Sequence, residues 1–217
     1  MQAVLSSEAK ERLEWLDGVG FLGIDKPIEY GYQHFLDCCE EEKKALFRDL
    51  TRHHINMVRK AVSFRKRKTI CLDIGIGGGH FIREMNRITD IETKGLDLNE
   101  YSIKWMNDND YLSNRDVYDI LTFWGTFDKL SEPLRYVKEY KPKFVAMSLP
   151  IFEYKEQVLS SPLLKIGERQ WFFTKLGLIG EMSRQNFSLL STSGDDGHKY
   201  GLHRHQSFVF ASNTIVS

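Results

Sequence analysis

The stretch Cys71-Leu72-Asp73-Ile74-Gly75-Ile76-Gly77-Gly78-Gly79-His80-Phe81 constrains this chain more than any other. Thr69 to Ile74 is a run of apolar and β-branched residues around one acid, the composition of a buried strand. The glycines that follow force a tight turn. Phe81, Ile82, Met85 and Ile88 then recur at helical spacing. Strand, glycine turn and helix form a cradle for a nucleotide or a phosphate in many α/β proteins.

The rest of the chain extends this unit. Thr93–Leu98 predicts a second strand, Tyr101–Met106 a helix and Tyr111–Leu112 a weak third strand. Tyr118–Trp124 predicts a fourth strand and Asp128–Tyr140 a helical crossover. A fifth strand, Lys143–Pro150, is expected to stop at its proline. Strands alternating with helices argue for a largely parallel sheet with helices on both faces. Towards the C-terminus, Thr174 is placed to cap a helix. Asn186–Ser191 and Ser207–Ala211 predict a terminal hairpin with one arm antiparallel to the sheet.

Upstream, Ser6 or Ser7 is a candidate cap for a helix over Glu8–Leu16, with a flexible connection at Gly18–Gly23. The aromatic Tyr30–Phe35 reads as an arm packed over the main domain. A long helix is expected from about Glu40 to Phe64, with Leu46, Leu50, Ile55, Val58 and Val62 as its apolar face. We therefore divide the chain into an N-terminal helical cover, residues 1–68, and a binding domain, residues 69–217, in one compact unit.

Composition excludes little. Thirty basic residues balance thirty acidic ones, so net charge favours no partner. Locally, residues 1–42 carry ten acids and three bases, and residues 43–68 carry ten bases and one acid. The bland account of this asymmetry is two solvated helix faces. The sharper one is a surface for a phosphate-bearing partner, nucleic acid included, through Arg65-Lys66-Arg67-Lys68. Cys38, Cys39 and Cys71 form no disulfide or metal pattern and fit a reducing cytoplasm. No apolar run suggests a signal peptide or a membrane span.

Two acids narrow the cradle. Asp73 precedes the first glycine by two residues, unlike a G-x-G-x-x-G dinucleotide turn, and a carboxylate there suits a cation better than a pyrophosphate. Asp97 lies at the end of the next strand, where a carboxylate can accept both hydroxyls of a ribose. An acid for an ammonium, a turn that admits close approach and an acid for a ribose describe a site for S-adenosylmethionine.

Asp73-x-Gly75-x-Gly77 followed by Asp97 resembles the class I S-adenosylmethionine-dependent methyltransferases, over roughly Thr69 to Ala211. The resemblance implies a Rossmann-like seven-stranded sheet, mostly parallel, with an antiparallel C-terminal strand and helices on both faces. Tyr118–Trp124, Phe144–Phe152 and Glu168-x-x-Trp171-Phe172-Phe173-Thr174 are similar to a small stand-alone set from bacteria and phages. By position, the resemblance places Asp73, Gly75, Ile76 and Gly77 around the methionine part of the cofactor. It places Asp97 on the ribose, Leu98 and Asn99 beside the adenine, and Trp124 near the methyl group. The chain departs from that set at Gly125, where an acid is usual, and lacks the histidine a few residues on; Asp128 is the candidate replacement for the usual glutamate. The loop Asp195–His205 offers His203 or His198 as proton acceptor, and its irregular spacing disfavours a metal. His53-His54 reads as surface, and Trp171-Phe172-Phe173 as core or pocket wall. The expected activity is methyl transfer to an oxygen or nitrogen of a small or nucleotide-like acceptor. The alternatives are a catalytically silent binding protein and a nucleic-acid modifier that uses residues 43–68.

Overall fold

The computed structural model describes residues 10–23, 30–63, 68–164 and 167–216. Its centre is a parallel sheet of β3 (Ile70–Ile74), β4 (Glu92–Leu96), β5 (Ile120–Trp124) and β6 (Phe144–Phe152), in the spatial order β6-β5-β3-β4. Strand β9 (His205–Ser212) runs antiparallel beside β6, and β8 (Phe187–Ser193) pairs antiparallel with β9. This is the terminal hairpin expected from the sequence.

Side chains alternate between two cores, as the period of a strand requires. Leu72, Val145, Met147, Phe208 and Phe210 enter one core with Leu178 and Met182 from α7 (Lys175–Arg184). Cys71, Phe144, Ala146, Val209 and Ala211 enter the other, against Ile55, Val58 and Val62 of α2 (Ala45–Val62) and Phe81 and Met85 of α3 (His80–Ile88). All nine residues of β6 are buried, because helices cover both faces of a parallel sheet.

Several expectations are corrected. Residues 14–16 of the expected first helix form β1 (Glu14–Leu16), and the supposed flexible connection holds β2 (Val19–Phe21). These two strands form a hairpin that pairs with β7 (Trp171–Thr174), so the N-terminal segment is not purely helical. Trp15 against Gly20 and Phe172 and Phe173 on β7 supply the packing that outweighs helix periodicity. The start of that helix, with Ser6, Ser7 and Glu8, lies outside the described residues. The long helix is two: α1 (Tyr32–Glu42) and α2, broken at Lys43-Lys44; Leu46 is 53% exposed rather than on the apolar face.

The third strand is reduced to one bridge between Gly95 and Leu112. The crossover is a 3-10 turn, Phe127–Lys129, followed by α5 (Pro133–Tyr140), and α6 (Lys155–Leu159) follows β6. Strand β6 does not stop at Pro150. It pairs with β5 as far as Ser148 and with β7 from Ile151, so the missing N–H falls in the gap between these two partners. With β1, β2 and β7 added, the described residues form nine strands rather than seven.

Helix α7 begins as expected: the Thr174 Oγ1 accepts the Gly177 N–H at 2.9 Å. Thr174→Ala should cost about 1 kcal/mol. Urea denaturation should show a lower midpoint with an unchanged slope.

Candidate functional site

The ends of β3, β4 and β5 open into a cleft of about 820 Å³, within the range of small-molecule sites. Gly75 and Gly77 line it from the β3 turn, Asp97, Leu98 and Asn99 from beyond β4, and Trp124, Gly125 and Thr126 from beyond β5. Helix α1 closes one side with Gly31, His34, Phe35 and Cys38, preceded by Tyr30. The helix is tied to α4 (Glu100–Asp108) where Asn99 Nδ2 donates to the Gly31 carbonyl at 3.4 Å and Tyr32 packs on Tyr101.

The glycine turn is held by two carboxylates. Asp97 Oδ2 accepts the Ile76 N–H at 2.8 Å, and its Oδ1 accepts the Asn99 N–H at 2.9 Å. Glu42, at the end of α1, accepts the Gly78 N–H at 2.8 Å and the His80 N–H at the start of α3. A Cβ at residue 78 would lie 2.6 Å from Glu42 Oε2, so only glycine lets the carboxylate dock. Gly75 has φ +79°, and a Cβ there would meet Thr126 at 2.4 Å. Burial pushes Glu42 up to about 7, despite these donors, and raises Asp97 above the usual carboxylate range.

Asp73 stands beneath the turn rather than on the cleft wall. It is buried, accepts a hydrogen bond from Thr122 Oγ1 at 2.7 Å, and is pushed by burial to about 8. The Ile76 side chain packs with Ile82 and Met106, leaving its N–H as its contribution to the turn. Leu98 is 83% exposed and Asn99 caps α4 through the Tyr101 N–H.

Trp124 is backed by a buried polar group that the sequence does not advertise. The indole stacks on His54, with centroids 3.9 Å apart and planes at 4°. His54 Nε2 lies 2.8 Å from Asp196 Oδ2, and Asp196 also accepts Ser148 Oγ and Ser207 Oγ. His54 is therefore core, not surface. Burial works against charge on Asp196, yet the donors hold it down to about 2; burial holds His54 below its usual value.

The two residues singled out for proton transfer are not brought to the cleft. Asp128 is fully buried in an ion pair with Arg169, and its Oδ1 has no hydrogen-bond partner among the described residues. His203 is exposed in the turn before β9, and His198 is exposed in the short helix α8 (Asp195–His198). Neither lines the cleft. Lining residues beyond those expected include His34, Lys129, Glu168 and Gln170. A histidine among aromatics is the one sequence signal for His34; the pairing of Glu42 with the glycine turn carries none.

Arg65, Lys66 and Arg67 lie outside the described residues, and Lys68 is paired with Glu92 at 2.7 Å. Among the described residues no cluster of histidine, cysteine or acid could hold a metal, and no helix is long and apolar enough to cross a membrane.

No protein-family model and no curated protein matches the chain. Solved structures do match. One is a chain of the complex between the Haloferax volcanii Trm112 methyltransferase activator and a methyltransferase, at 12% identity and TM-score 0.57, covering 83% of this chain and 97% of that one. Burkholderia thailandensis 1,6-didemethyltoxoflavin-N1-methyltransferase, solved with its acceptor and S-adenosylhomocysteine, matches at 13% and 0.52, covering 93% and 99%. The [4+2]-cyclase SpnF matches at 11% and 0.54, covering 97% and 92%. The chain has the class I S-adenosylmethionine-dependent methyltransferase fold.

The raised carboxyls set a pH dependence. Glu42 rises from 4.5 to about 7 and Asp73 from 3.8 to about 8, so the folded state keeps protons that the unfolded chain loses. Stability should fall as pH rises from about 5 to 8. Glu42→Gln should remove about 3 kcal/mol of that fall, measured by denaturant titration at both ends of the window. An unchanged fall would contradict the placement of Glu42.

Proposed function

We propose that this chain transfers a methyl group from S-adenosylmethionine to an oxygen or nitrogen of a small or nucleotide-like acceptor. One observation carries the reading: the amides at the start of α3 are already taken by Glu42, while the acid after β4 faces the cleft. A dinucleotide would put its pyrophosphate on such amides. With an internal carboxylate there, the cleft suits a nucleoside that carries no phosphate.

In this reading Asp97 accepts the ribose hydroxyls, and Leu98 and Asn99 flank the adenine. Gly75, Ile76 and Gly77 follow the methionine part, with Asp73 buried beneath the turn. Trp124, fixed in plane by His54, forms the wall beside the methyl group. When bound, the cofactor supplies an electrophilic methyl on a sulfonium that leaves as a neutral thioether. The chain's share is to orient the acceptor, which can supply much of the rate, and to take a proton. We assign the proton to His34 in place of His203 and Asp128. It lines the cleft, and burial together with Lys129 keeps it below its usual value, hence neutral at pH 7. Residues 1–68 act as the cover of this site and residues 69–217 as its cofactor-binding part.

A second reading keeps the cofactor and drops methyl transfer. It is favoured by Gly125 in the position where an acid is usual, and the [4+2]-cyclase shows that this fold serves other chemistry.

The test is S-adenosylhomocysteine binding by calorimetry, followed by methyl release with small acceptors. Asp97→Ala should weaken binding at least tenfold, and His34→Ala should lower turnover with binding unchanged. A wild-type chain that binds no S-adenosylhomocysteine would sink the proposal; tight binding with no methyl release would favour the second reading.

A further inference from the structure

Among the described residues that line the cleft, Lys129 is the one lysine or arginine. It ends the 3-10 turn after β5, where its N–H donates to the Thr126 carbonyl at 2.9 Å and its own carbonyl accepts Gln170 Nε2 at 3.4 Å. The backbone is thus pinned from both sides, while the ammonium has no ion-pair partner within 4 Å among the described residues. Of the two acids that act on it, Asp128 is committed to Arg169 and Glu168 lines the same cleft outside ion-pair reach. Asp97, on the same cleft, holds the Ile76 and Asn99 amides and keeps its remaining lone pairs for the ribose hydroxyls. Burial, with the Arg169 guanidinium, pushes the Lys129 pKa below the usual lysine value against the pull of Asp128 and Glu168. Lys129 is half-buried, so its ammonium is partly desolvated, and a partly desolvated cation without an ion-pair partner gains from an opposite charge brought beside it.

We propose that Lys129 is the counter-cation for an anionic group, a carboxylate or a phosphate, on a ligand bound in this cleft. The inference rests on the methyltransferase reading and leaves two sources for the anion: the amino-acid carboxylate of the cofactor, or an acid group on the acceptor. If the acceptor supplies it, the substrate class is an anionic small molecule. The ion pair would form in a partly desolvated wall, where it is screened less by salt than a surface pair.

The test uses the full chain, Lys129→Met and Lys129→Arg. Binding is measured for S-adenosylhomocysteine and for 5′-methylthioadenosine, which lacks the amino-acid part. With S-adenosylhomocysteine saturating, it is measured for benzoate, phenyl phosphate and neutral benzamide. Lys129→Met should lose at least tenfold in affinity for an anionic probe, and Lys129→Arg should keep most of it. Loss for S-adenosylhomocysteine but not methylthioadenosine assigns the anion to the cofactor. Loss for benzoate or phenyl phosphate but not benzamide assigns it to the acceptor. Because the charge is unpaired, Lys129→Met should also unfold at the same temperature as the wild type or higher without ligand. Unchanged affinity for all three anions overturns the proposal, as does a lowered unfolding temperature, which marks a structural pair. If the wild type binds no S-adenosylhomocysteine, the methyltransferase reading fails, and benzoate and phenyl phosphate with the free protein still decide Lys129.

Discussion

Two carboxylates on one glycine turn organise this molecule. Asp97 takes the Ile76 amide from the side of β4, and Glu42 takes the Gly78 and His80 amides from the side of α1. The turn's donors are thereby paired inside the protein, as buried backbone groups require. Each bond also fixes another element: Asp97 sets where α4 begins, and Glu42 sets where the N-terminal helix lies. The cleft is the space left between them.

Its walls are stiffened by buried charge. Arg169 and Asp128 lock the segment before β7 to the 3-10 turn after β5, and His54 with Asp196 joins α2, β6, β9 and the C-terminal loop behind Trp124. Removing one member of such a group strands the other without solvent, so these contacts hold the elements in one arrangement. The Trp124 Nε1, a buried donor with no hydrogen-bond partner among the described residues, lies on the cleft wall, as does Lys129.

The parallel core was legible because its strands are apolar on both faces. Ile70–Ile74, Ile120–Trp124 and Phe144–Phe152 are all recognisable as continuous runs, and Thr174 announces its helix by a local hydrogen bond. The β1–β2 hairpin was not legible. Its strands are three residues each and gain their stability from pairing with β7, about 150 residues away in the chain. Pro150 misled for a related reason: it ends a strand in isolation, but here it falls in the gap between two partners, β5 and β7.

In the site, the order Asp73, Gly75, Gly77, Asp97 determined by itself that a glycine turn and an adjacent acid would meet at neighbouring strand ends, since these positions are set by local pattern. The fold decided what the pattern could not. It buried Asp128 and His54, left His203 in solvent, and brought Glu42 to the turn and His34 and Lys129 to the cleft. Those outcomes depend on which helix crosses which strand end, a consequence of packing two cores around one sheet. No spacing along the chain encodes the meeting of residues 42 and 78, because only the closed structure brings the carboxylate within hydrogen-bond reach of that amide.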